Sequence, residues 1–298
     1  MTAYAFDWVD AFADAPFAGN GCAVVHDADG VPLGRRLALV RETSLTECAY
    51  VVASSRADFG ARYYVDRGEI PLAGHPTVAT VAALIARGQI ALADGRADLS
   101  LEVGAGVMPI AVEEREGRPL VRMTQPAPEF GPHHEPAEIA ALYGLGAEDV
   151  LGTPREVSTG TPYIVTVLAS HEALRRARLD ADALLAFRER HGHGRDALIE
   201  PFLVTLGGAT EAGDTFSRLL LPPPQPAEDP FTGSATGCMA AHLWAEGLIE
   251  TPRFRAEQGH WMGRPGWAEV EVLGPRDSIK GIRVAGTGVR VMQGTVEL

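Results

Sequence analysis

GHPTVATVAALIARG (residues 74–88) and GSATGCMAAHLWAEG (residues 233–247) read as two copies of one segment. Each has a start containing glycine and threonine, an apolar Ala-rich run, and a closing glycine at the same offset. Both predict helices, and helices apolar nearly all round are normally buried. A helix start carries unpartnered backbone N–H groups and partial positive charge, so two starts facing each other would cradle an anion. Glycine there would admit a ligand close to the backbone. One segment alone would read as an ordinary buried helix whose small residues permit close packing. Duplication points to a site at the junction of two halves, since ligand pockets favour such interfaces.

Outward from these helices the chain is a series of short strands. YAFDWVDAF, a turn over 14–21 and CAVVHD predict a hairpin; 36–42 has helical spacing, and 46–54 and 62–66 predict strands. A meander is expected from Leu99 onward, and the proline-rich stretch 125–136 is expected to be an interdomain linker. The second half predicts a helix over 137–143, a strand over 161–169, a charged helical stretch over 171–191 and a strand at PFLVTLGG. LLLPPPQPAEDPFTG then leads into the second central helix as EIPLAGHPT leads into the first, and late strands are expected at 268–273, 281–285 and 288–298.

At 298 residues the chain suits two domains. Net charge is −13 with a pI near 5.1, and without a Lys/Arg cluster a nucleic-acid partner is not expected. No long uncharged apolar run suggests a membrane span, and MTAYAFDWVDAF lacks the basic and apolar regions of a signal peptide, so a cytoplasmic location is expected. Cys22, Cys48 and Cys238 are far apart and lack CxxC or Cys/His spacing, so neither a disulfide framework nor a metal site is expected.

Glu47 stands immediately before an apolar run, where partial burial would raise its pKa towards the range useful in proton transfer. Local sequence alone favours a solvated loop carboxylate or a cap. Asp229 precedes the second helix start and reads equally as a ligand contact or as a turn aspartate before proline. His75 could donate to a bound group or be satisfied by nearby backbone. Ser234, Thr77 and Thr236 could contact a ligand, although capping is the default for each alone. GAGVMPIAV lacks a full GxGxxG, and no GxxxxGK[ST] occurs, so no nucleotide cofactor is expected. His133 and His134 in the linker, and His191 and His193 in a charged segment, read as surface-loop residues.

Six stretches taken in order, VDAFADAPFAGN, LTECAYV, PLAGHPTVAT, AEDPFTGSATG, EQGHWMGRPG and IRVAGTGVRVMQGTVEL, resemble the PhzF family of phenazine-biosynthesis-like proteins. The resemblance implies the diaminopimelate-epimerase fold, an α+β architecture of two pseudo-symmetric domains. Each would be a barrel-like, mostly antiparallel sheet around a central helix. We expect domains at 1–125 and 126–285, with 286–298 returning to the first. The family's best-known member isomerises trans-2,3-dihydro-3-hydroxyanthranilate without a cofactor, a glutamate moving a proton from C3 to C1. The matching residue is Glu47, with contacts carried over onto Thr46, Gly74, His75, Thr77, Asp229, Gly233 and Ser234, and with Asn20 at the same cleft. A homodimer is a further family expectation.

The same fold also runs epimerisation with one cysteine at each helix start, but LAGHPT and DPFTGS contain no thiol. Thr236-Gly237 and PPPQPA depart from the family pattern and put the substrate in question. The expectation is a cofactor-independent isomerase of a small carboxylate or cyclic amino acid. A binding protein without turnover and a non-thiol epimerase or racemase are the alternatives.

Overall fold

The computed structural model describes residues 2–194, 197 and 199–298. Both central segments are helices, Gly74–Ala86 and Gly233–Ala245. In each, the first eleven residues are all buried, as their uniform apolarity requires. Both end on a glycine in the left-handed region, Gly88 and Gly247, each with φ +71. Gln89 N–H bonds the Leu84 carbonyl and Leu248 N–H the Leu243 carbonyl, closing each helix in the same way.

The strands around the two helices follow one pattern twice. In the first half Ala3–Ala11 pairs antiparallel with Asn20–Val25, which runs parallel to Cys48–Val52. That strand pairs antiparallel with Phe59–Val65, which is parallel to Arg96–Val103; two antiparallel steps follow, to Gly106–Arg115 and Arg118–Gln125. The second half begins at Arg155–Ser158 and runs through Pro162–Leu168, Pro201–Leu206, Thr215–Leu220, Arg253–Gln258 and Gly266–Leu273 to Gly281–Glu297. Its steps are again antiparallel, parallel, antiparallel, parallel, then twice antiparallel. The parallel steps are where the chain must cross over, and each central helix is inserted at the second of them.

Gly281–Glu297 belongs to both halves. Residues 282–287 pair with Arg118–Gln125, while 288–297 pair with Ala3–Ala11. This closes the first half into a barrel of eight strands, and the earlier part of the same strand pairs with Gly266–Leu273. The fold is therefore α+β, with two pseudo-symmetric halves each built around a central helix.

Four local expectations are corrected. The two late strands expected at 281–285 and 288–298 are one strand, because Gly286 and Gly288 continue the ladder. A side chain at Gly288 would lie 2.5 Å from Ala82 Cβ of the first helix, so glycine here permits close packing. Residues 129–133, expected within a linker, form a strand pairing with Arg155–Ser158. The charged stretch over 171–191 is two helices, His171–Arg176 and Ala181–Arg190, each capped by a side chain, Ser170 and Asp180. His134, expected on a surface loop, is 3% exposed.

Candidate active site

The two helix starts abut. A Cβ added at Gly74 would lie 2.6 Å from Gly233 Cα, and one at Gly233 would lie 2.8 Å from Phe12 Cζ. The bare faces of the glycines thus meet each other. Neither helix has a side-chain cap, at Ala73 or at Thr232. Two positive helix ends are brought together without the oxygen that commonly neutralises such an end.

Beside this junction lies a cavity of about 40 Å³, lined by both halves. Of the expected residues, Thr46, Glu47, Asp229 and Ser234 line it. Asn20 and His75 lie directly behind them, while Gly74, Thr77 and Gly233 form the helix starts. The Thr77 hydroxyl is already engaged, donating to Ala73 O at 2.7 Å and contacting Tyr63 OH at 2.8 Å. The Thr236 hydroxyl is engaged too, donating back to Thr232 O within its own helix turn. A larger groove, about 920 Å³, lies on the outer sheet faces and contains none of these residues.

Asn20 organises the polar cluster. Its Nδ2 donates to Asp229 Oδ1 at 2.8 Å and to Phe231 O at 2.9 Å, and sits 3.1 Å from His75 Nδ1. The first two partners can only accept, which fixes the amide's orientation and uses both of its N–H groups, so the contact with His75 Nδ1 does not set the ring's tautomer. Asp229 is held further by Thr232 Oγ1 at 2.5 Å, and Gln258 Nε2 donates to its backbone carbonyl at 2.8 Å. Glu47 Oε2 lies 3.6 Å from His75 Nδ1.

Three atoms of this cluster, Thr46 Oγ1, Glu47 Oε2 and His75 Nε2, are buried without hydrogen-bond partners, as is Gln225 Oε1 at the cavity wall. Buried polar atoms are normally paired, so their concentration singles out this cavity as the candidate site. Burial pushes the Glu47 carboxyl well above its usual range, and the nearby Asp229 pushes it further. One fifth of the Glu47 side chain is exposed, yet Oε2 itself is not, so the direction holds. Burial raises Asp229 to about 6 against the pull of Thr232 and Asn20, and lowers His75 to about 3. At neutral pH the site therefore holds a largely ionised aspartate and a neutral imidazole, with the Glu47 carboxyl shifted towards its protonated form.

None of the cysteines is a thiolate at neutral pH. Burial raises Cys48 to about 12 and Cys238 to about 11, and raises Cys22 as well. Cys238, within the second helix, contacts Thr159 Oγ1 and Thr161 O.

Sequence reasoning missed Tyr163, Glu200, Gln225 and Thr232 in the cavity wall. Tyr163 OH contacts Ser234 Oγ at 2.9 Å, and Glu200 is paired with Arg188 at 2.7 Å. The unusual PPPQPA stretch was the signal that could have pointed to Gln225.

Fold and candidate site describe two matching halves with a polar cavity between them, and the relatives with this architecture are isomerases. The chain matches the family model for phenazine biosynthesis-like proteins over residues 9–294 and belongs to that family. It is 30% identical over 294 residues to a trans-2,3-dihydro-3-hydroxyanthranilate isomerase of Pseudomonas aeruginosa, covering 97% of this chain and 98% of that one. An uncharacterized isomerase of Bacillus subtilis, YfhB, is 27% identical over 94% of each chain. A PhzF-family phenazine biosynthesis protein of Bacillus anthracis superposes with a TM-score of 0.85 at 26% identity, covering 100% of both chains. Among the described residues no helix is long and apolar enough to cross a membrane.

Proposed function

We propose that the protein moves a proton on a small carboxylate or cyclic amino acid, with Glu47 as the acid and base. The observation that carries this reading is the group of unpartnered atoms on Thr46, Glu47 and His75 beside two uncapped helix starts. The helix ends supply the positive potential that a substrate carboxylate needs, and among the described residues the cavity lining holds no Lys or Arg. Glu47, its carboxyl shifted towards the protonated form by burial, delivers a proton and recovers one from the same face of the substrate. Asp229, ionised and fixed by Asn20 and Thr232, suits an amine or hydroxyl donor, and His75 Nε2 lies beside it without a partner.

The cavity admits only a few waters as it stands. Substrate entry then requires the halves to part, and we propose that they divide at residues 125 and 126. Closure would exclude water and strengthen each contact.

Incubation with trans-2,3-dihydro-3-hydroxyanthranilate, and with a panel of small carboxylates and cyclic amino acids, in D2O tests the reading. Deuterium should enter the turned-over compound with the wild-type protein and not with Glu47→Gln, whose melting temperature should stay within a few degrees of wild type. Undiminished exchange by the variant would overturn the assignment of Glu47. Binding of a panel compound without exchange by either protein would instead identify a binding protein.

A further inference from the structure

A second cluster of ionisable groups lies away from this cavity. His134, on the segment entering the helix Pro136–Ala141, meets Glu138 of that helix and His191 at the end of Ala181–Arg190. One ring nitrogen from each histidine and one Glu138 oxygen lie within 4.8 Å of one another. The His134 and His191 rings are 4.8 Å apart in an edge-to-face arrangement. His134 is 3% exposed, whereas the His191 and Glu138 side chains are 33% and 28% exposed.

The His134 ring is set as a ligand would be. Its Nε2 lies 2.9 Å from Glu156 Oε1, which also receives His193 Nε2 at 3.0 Å. A proton on Nε2 serves that carboxylate and leaves Nδ1 with a bare lone pair. Nδ1 is buried and has no hydrogen-bond partner. A carboxylate behind a histidine is the usual outer support of a metal-bound imidazole, since it fixes the tautomer and makes the ring more basic.

We infer that His134 Nδ1, Glu138 and His191 form a binding site for a divalent transition-metal ion of the zinc class, with Glu156 as its outer support. Two imidazoles and one carboxylate favour Zn²⁺, Co²⁺ or Ni²⁺ over Mg²⁺ or Ca²⁺, which prefer all-oxygen sets. Three protein ligands leave further positions to water, as the partial exposure of His191 and Glu138 allows. Metal-ligand bonds of about 2 Å require the three donors to draw together slightly, and the two half-exposed side chains can do so. Glu138 is now held by Arg190 Nη2 at 2.9 Å, from a side chain 57% exposed, and by His191 Nε2 at 3.1 Å; the ion would displace the arginine and replace the proton between His191 and Glu138. Bound metal would pin the end of one helix to the start of the other.

Titration of tag-free protein with Zn²⁺ alone, followed by calorimetry and equilibrium dialysis, is expected to give one ion per chain. His191→Gln and Glu138→Gln should each weaken uptake at least tenfold. Glu156→Gln, which removes no ligand, should weaken it by about 10–100-fold. Arg190→Gln should tighten it, an effect that a purely structural ion pair would not produce. Co²⁺ in the wild-type protein should show the visible bands of a nitrogen and oxygen site without thiolate charge transfer. Absence of uptake at micromolar Zn²⁺ overturns the proposal, as does uptake weakened less than tenfold in both ligand variants. Glu156 is largely buried, with a side chain 12% exposed, so the folding of every variant is checked directly by circular dichroism.

Discussion

At Asp229, burial and hydrogen bonding pull in opposite directions, and burial wins. The carboxyl is held at about 6 against an ordinary 3.8, so between those values the folded protein holds a proton that the unfolded chain releases. Its contribution to stability is complete below about pH 4 and is lost as pH rises through 6. Asp229→Asn cannot ionise and escapes that loss. Whatever the substitution costs in hydrogen bonds to Asn20 and Thr232, its stability relative to wild type should improve by on the order of 2–3 kcal/mol between pH 4 and pH 7. Urea unfolding at the two pH values measures this, and a difference that does not change with pH would refute it. Asp229 stood even with a turn residue in the sequence, because an aspartate before proline is common in either role. Glu47 was legible only through the ordered motifs, since nothing adjacent to it encodes the burial that the opposite half provides. Tyr163, Glu200 and Gln225 were illegible because each reaches the cavity from a segment whose own pattern is that of an ordinary strand or loop.

Among the elements, the two central helices were the most legible, down to their closing glycines, because uniform apolarity over a helical length has few other solutions. What their sequence did not show was that Gly74 and Gly233 face each other. Alanine at either position would ordinarily stabilise a helix by up to about 1 kcal/mol. Here Gly233→Ala should destabilise the protein by about 1–3 kcal/mol, because the new methyl meets the Phe12 ring and the Gly74 backbone at 3.0 Å or less. Denaturant unfolding would detect this, and an unchanged or raised midpoint would show that the helix starts have room to separate. The strand Glu129–His133 escaped notice for a different reason. Its Pro132 and flanking prolines carry the composition of a linker, and a short strand paired on a single neighbour tolerates them. Arg253–Gln258 was likewise hidden, since its charged side chains mask a strand whose Phe254, Ala256 and Gln258 are nevertheless buried.

At the scale of the molecule, the duplication was visible and its closure was only partly so. The return of the chain end was an expectation from the family resemblance, and nothing in the pattern showed that one strand passes without interruption from the second half into the first. Removal of residues 288–298 should leave Ala3–Ala11 without its antiparallel neighbour on that side and open the eight-strand barrel. The shortened chain is expected to be insoluble or to lose cooperative unfolding, whereas a soluble, cooperatively folded product would show that the barrel closes without it. That shared strand also bears on synthesis at the ribosome. The first half is translated early but cannot be sealed until residues 282–297 emerge, after the whole of the second half. For that interval Ala3–Ala11 and Arg118–Gln125 present bare edges, the feature that invites association between nascent chains. The protein's exposure to misassembly is thus set by the time needed to make its second half, and a chaperone that shields strand edges would act in that window.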